Sequence, residues 1–294
     1  MLRTMKSILG TSLIKEDTYI RSKAVPFTTI LGHYFDFMRR QLCAAAGQDI
    51  TGVVLEADVG GGTSDFSLVK LSPERSNKSD RQDDILANNG IHIGGTDVDR
   101  LLSLEKIMPE FGLGTKIGPK NLAMPSSYYN DLASWHRINS LYKIATANEL
   151  RHVRLEAHRK DLVDRLIALV DLRLGHLLAV EIERSKIALS TEPETTIDFR
   201  CPPDQISNNV KRDQFNETIR DTAEKFGRAL VETTTLAGIP ATDVTTIFAM
   251  GGSISIPFLQ DCVTAAFPNA NFVMGDLLGS VGVGLSLDAK KRFQ

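Results

Sequence analysis

The residues best suited to chemistry lie in Val53–Leu71, VVLEADVGGGTSDFSLVKL, where Asp58 precedes Gly60, Gly61, Gly62 and the hydroxyl of Thr63. Removing every Cβ from a turn lets backbone N–H groups approach an anion, so the three glycines can cradle a phosphate. Asp58 cannot favour a phosphate by itself. It makes sense as an oxygen ligand to a hydrated magnesium ion beside one, with Thr63 donating its hydroxyl to the same phosphates. Three glycines between strands are also a flexible hairpin turn, and alone they read more readily that way. Two later segments repeat the pattern. Asn88–Leu102 ends an apolar run at Gly94-Gly95 and then offers Thr96 and Asp97 as caps for a helix beginning near Val98; helix capping and ligand contact explain it equally well. Ile247–Pro257 runs from an apolar strand through Gly251-Gly252-Ser253 to a helix, which alone is only a tight strand-to-helix turn. Finally, Glu183, Lys186 and Ser190 sit three and four apart and share one helix face. At that spacing an acid and a lysine usually form a surface ion pair of small worth.

These residues need elements to hold them. Val53–Leu55 reads as a short buried strand and Phe66, Leu68 and Leu71 as a second, so the two form a hairpin around the glycines. Upstream, Phe27, Ile30, Leu31, Tyr34, Phe35, Met38 and Leu42 recur at helical spacing, with Pro26 in the first turn and Gly47 as the stop. Residues 72–87 are polar and aperiodic, a solvated loop. Phe111–Ser127 is a Gly- and Pro-rich loop whose Gly112–Gly118 spacing does not match a Walker cradle. Ser134–Ala188 reads as mostly helical, with the apolar stripe Leu150, Val153, Leu155, Leu162, Leu166, Leu169, Leu172 and Leu177. His152 and His158 do not share a face cleanly and read as surface residues, and Trp135 reads as packing rather than as the lining of a site. Thr195–Phe199 is a strand, and Arg212–Leu236 is an amphipathic helix closing at Gly238 and Pro240.

Composition narrows the function classes. The 294 residues suggest about two domains, and with 42% apolar and 24% charged residues and a net charge of −2, bulk charge attracts neither nucleic acid nor an anionic membrane. Cys43, Cys201 and Cys262 have no paired spacing, which argues against a disulfide framework or a zinc site and fits a reducing cytoplasm. No apolar run approaches membrane-spanning length.

ADVGGGTSDFSLV resembles the second phosphate motif of the actin-like ATPases, and in particular of the seventy-kilodalton heat-shock chaperones: acid, apolar residue, three glycines, threonine, any residue, acid. Gly90–Arg100, Ile182–Ser190 and Ile247–Pro257 agree in the same order. The resemblance implies an α/β, ribonuclease-H-like fold: a second lobe with a mixed sheet flanked by helices, plus a helical subdomain. It divides the chain into a first-lobe remnant (residues 1–52), a nucleotide-binding core (53–110 and 191–294) and an inserted, mostly helical subdomain (111–190). ATP or ADP with magnesium is the implied ligand. Gly60, Gly61, Gly62, Thr63, Gly94, Gly95, Gly251, Gly252 and Ser253 would face it; Glu183, Lys186 and Ser190 would reach the ribose and adenine, and Asp276 would stand near the base. Asp58 would hold the metal through water. The chain departs from the family pattern at Ile187 and Ser255, where the family has arginines, and this weakens the base side. The resemblance also implies a cytoplasmic, chaperone-like protein acting on unfolded or partner proteins, with no peptide-binding domain after Phe293. The family's first-lobe catalytic groups have no counterpart, so no catalytic residue is assigned and hydrolysis is expected to be negligible. A non-catalytic nucleotide sensor or scaffold and a filament former or sugar kinase on the same fold are the alternatives.

Overall fold

The computed structural model describes residues 17–20, 23–26, 36, 39–40, 43–44, 51–77 and 82–275. In chain order the elements are β1 (Asp17–Ile20), β2 (Lys23–Pro26), β3 (Gly52–Val59), β4 (Ser64–Leu71), β5 (Ile85–Ile91), α1 (Gly95–Lys106), β6 (Lys116–Ile117) and β7 (Leu122–Ala123). Then follow α2 (Ser127–Leu132), α3 (Ile138–Leu141), α4 (Ile144–Glu156), α5 (Lys160–Asp171), α6 (Gly175–Thr191), β8 (Glu194–Cys201), β9 (Asp204–Lys211), α7 (Arg212–Ala237), β10 (Val244–Met250), α8 (Pro257–Ala266) and β11 (Asn271–Met274). They divide into two compact units, Met1–Gly94 with Ala223–Gln294, and Gly95–Thr222.

The first unit is built on a five-stranded mixed sheet of order β11-β10-β3-β4-β5. β11, β10 and β3 are parallel neighbours, while β3, β4 and β5 are antiparallel. This sheet, with helices from the same unit, is of the mixed α/β kind that the sequence leads one to expect. Val54, Leu55 and Ala57 of β3 and Ile247, Phe248 and Ala249 of β10 are all buried, which explains why these strands read as continuous apolar runs rather than alternating ones: both faces are covered. The later half of α7 lies against this sheet, with the Phe226 ring edge-on to Phe66 at 5.3 Å and the Asn89 amide donating to the Ala229 carbonyl at 3.2 Å. Leu259 and Val263 of α8 are also buried. β11 follows a run with no strong strand signature and pairs only through its parallel register with β10.

The second unit is helical, with the β8–β9 hairpin and the short β6–β7 hairpin added. Its core gathers Phe111, Tyr129, Leu132, Ile138, Leu166, Leu169, Leu178, Ile182 and Phe215. The Tyr129 hydroxyl donates to the Phe111 carbonyl at 3.1 Å, and Arg165 ties Glu110 (3.2 Å) to Asp204 (2.6 Å). The single helical stretch expected over Ser134–Ala188 is four helices. It breaks at Lys143, which is extended, at Ala157, which is extended and bridges to Ile117, and at Arg173, whose φ is 55°. Leu150, Leu162, Leu166 and Leu169 of the expected stripe are buried, whereas Leu155, Leu172 and Leu177 are exposed; Leu155 lies five residues from Leu150 on the same helix and so turns away from its face. The loop expected at Phe111–Ser127 contains the β6–β7 hairpin, and the helix expected near Val98 starts at Gly95. Of the helix expected over Phe27–Leu42, Asp36, Arg39 and Arg40 are helical and the rest lies outside the described residues, as does Asp276.

Candidate functional site

In the first unit β3 and β4 are joined by the Gly60–Thr63 turn, closed by the Gly60 N–H donating to the Thr63 carbonyl at 2.9 Å. The hairpin register sets Asp58 directly opposite Asp65. The Thr63 hydroxyl donates to Asp65 Oδ2 at 3.1 Å and is thus already engaged with an acid. Asp65 was visible in the sequence as part of the repeated-acid pattern. Its partnership with Asp58 follows once the turn is centred between Gly61 and Gly62, since that pairs 58 with 65.

The two other glycine segments pack against this turn. β10 runs parallel to β3 with Met250 beside Asp58, so the chain leaving β10 arrives at the cradle. Gly251 there has φ 83°, and a Cβ on it would fall 2.6 Å from the Val59 carbonyl carbon and 2.8 Å from Asp58 Oδ1. Two residues on, the Ser253 hydroxyl donates to the Gly60 carbonyl at 3.0 Å. From the other side a Cβ on Gly94 would meet the Gly61 carbonyl and the Gly62 nitrogen at 2.6 Å. Segments far apart in sequence therefore converge on residues 58–62. Gly61, Gly62 and Gly252 differ in kind: a Cβ on any of them would meet nothing within 4 Å. Packing does not require glycine at these three positions. One carboxylate, a backbone cradle and open solvent suit magnesium, which keeps most of its water and takes phosphate oxygens as further ligands. Among the described residues no group of three or more His, Cys, Asp or Glu could enclose a metal directly.

In the second unit, Glu183, Lys186 and Ser190 lie on α6. The spacing that suggested a shared surface places them differently: Glu183 is exposed, Lys186 buried and Ser190 half-buried, its hydroxyl donating to the Lys186 carbonyl at 3.4 Å. Lys186 Nζ donates to Asp99 Oδ2 of α1 at 2.9 Å and to the Gly95 carbonyl at 3.4 Å. The side chains are 10% and 19% exposed, so this is a largely desolvated pair that joins α1 to α6. Burial raises the Asp99 carboxyl to about 6 despite the lysine, and Glu183 adds to the rise. Asp99 was not anticipated as a partner, because nothing local signals a contact across 87 residues. Ile187 is 59% exposed and does not substitute by packing for the arginine of the family pattern.

Trp135 corrects an expectation. It does not pack into the core but is 63% exposed, its ring edge-on to His176 at 6.0 Å, at the mouth of a cavity lined also by Asp99, Ile182 and Glu183. His152 and His158 are exposed as expected, the latter bonding through Nε2 with the Gly118 carbonyl at 2.9 Å. Cys43, Cys201 and Cys262 form no disulfide. Among the described residues no helix is long and apolar enough to cross a membrane.

Residues 150–273 match the family model of the Hsp70 protein. The matched span contains Glu183, Lys186, Ser190 and Gly251–Ser253, and it stops short of Asp58–Thr63 and Gly94. Over that span the chain is Hsp70-like.

Proposed function

We propose that this chain binds adenine nucleotide with magnesium and serves an Hsp70-like, ATP-dependent chaperone role on unfolded or partner proteins. The observation that carries the reading is the convergence of Gly94, Gly251 and Ser253 on the Gly60–Gly62 turn beside Asp58. The turn's exposed Gly61 and Gly62 would receive the phosphates. Asp58 would orient a hydrated magnesium ion, whose charge offsets the phosphates. Binding is weak, because Ser255 stands where the family pattern has an arginine. Isothermal titration of ATP, with magnesium and with the metal chelated, tests this. Magnesium-dependent heat that Asp58→Ala makes metal-independent is the expected result. No heat at millimolar ATP, or equal binding in chelator, would overturn the proposal.

A further inference from the structure

The second unit contains a cavity of about 670 Å³, within the usual size range of small-ligand sites. α1 supplies Thr96, Asp99 and Ser103, α6 supplies His176 to Glu183, and Leu132–Trp135 close the third side. Leu132, Ala133, Leu178, Val180 and Ile182 make most of the wall apolar, which favours a ligand with an apolar body. Trp135 stands at the mouth, largely exposed with its ring steadied by His176, where it offers a π-face. Such an aromatic attracts a cationic group.

The charged groups of the cavity point to the same ligand. Asp99 and Glu183 line it, and Lys186, the cation beside them, is taken by Asp99 Oδ2. Asp99 Oδ1 is buried and has no hydrogen-bond donor among the described residues. The cavity thus carries two carboxylates against one ammonium, and Glu183 makes the ionised form of Asp99 harder to hold. An anion is repelled here. A neutral apolar molecule would desolvate the acids without compensation. We propose that this cavity binds a flat organic cation, an amidinium or guanidinium borne on an apolar body, with the charge set toward Asp99 and Glu183 and the body between Trp135 and the α6 wall.

The cavity lies within the second unit and shares Glu183 with the residues that the family pattern sets toward the ribose, whereas Asp58 and the Gly60–Gly62 turn belong to the first unit. Trp135 is the sole tryptophan, so its emission reports the cavity directly. The full chain is titrated with benzamidine, neutral benzamide and benzoate. Benzamidine should quench saturably with an affinity about tenfold above that of benzamide, a difference of one charge-assisted contact, and benzoate should have no effect. Glu183→Gln, an exposed substitution that leaves the fold intact, should reduce the benzamidine preference about threefold, and Asp99→Asn should largely abolish it. Titration calorimetry on Trp135→Ala gives a second measurement, with weaker binding expected. Asp58→Ala should leave the benzamidine response unchanged, which separates failure here from failure of the nucleotide site. Equal response to benzamidine and benzamide would overturn the proposal, as would quenching by ATP that benzamidine displaces.

Discussion

The glycine cradle of the first unit and the Asp99–Lys186 pair of the second show two ways of placing charge-handling groups. In the cradle the backbone does the work, and the local sequence announces it. The glycines there divide into those that packing demands, Gly94 and Gly251, and those that it does not, Gly61 and Gly62. In the second unit the working groups are side chains on separate helices: Lys186 Nζ pairs with one oxygen of Asp99, and that pairing ties α1 to α6. Glycines that packing demands are thus distinguished from those it does not by asking what a Cβ would meet.

Gly251→Ala should have the largest effect. A Cβ at φ 83° pressed against the Val59 carbonyl and Asp58 combines a left-handed backbone with overpacking, for a loss of about 4 kcal/mol measured by urea denaturation. A loss under about 1 kcal/mol would show that Gly251 is not a packing glycine. Next comes Lys186→Met, which strands the buried Asp99 carboxylate; about 3 kcal/mol should be lost at neutral pH. A neutral outcome would mean that the pair is no more than a surface bridge.

A smaller effect is pH-dependent. Because burial raises Asp99 from 3.8 to about 6, the folded chain keeps a proton that the unfolded chain has released. The Asp99 contribution therefore falls as pH rises from about 4 to about 6 and is flat above. Asp99→Asn should remove that fall, so the variant gains about 2 kcal/mol on the parent across this window. Parallel stability profiles would contradict the linkage. The smallest stability effect belongs to Gly61→Ala, within about 0.5 kcal/mol of the parent because its Cβ meets nothing. Its ATP affinity should nevertheless drop about tenfold by titration calorimetry. A fold effect without a binding effect would reverse the distinction between the two kinds of glycine.

The parts legible in the sequence were those whose physics is local. The β3–β4 hairpin, the strand at Ile247–Met250 and the helix closing at Gly238 follow from apolar runs bounded by glycine or proline. The breaks at Ala157 and Arg173 carry no such punctuation: they depend on a bridge to Ile117 and on a left-handed residue that is not glycine. Composition likewise gave no warning of the exposure of Trp135, since a lone tryptophan is buried more often than not. The individual glycine motifs could be read, but their convergence depends on the parallel pairing of β3 with β10, which no nearby residue specifies.

That pairing has a consequence for how the molecule is made. The Ser253–Gly60 bond spans 193 positions, and β3 lacks its β10 neighbour until the chain past Met250 has emerged from the ribosome. At about 5–20 residues per second this leaves the strand with one unsatisfied edge for on the order of 10–40 s. The hairpin with β4 can form early, but the packing of Gly251 and Ser253 on the Gly60–Gly62 turn waits until the chain has been made past Ser253. A nascent chain halted before Gly251 would expose an apolar, unpaired strand edge of the kind that other chains add to, so the protein would itself depend on protection during its own translation.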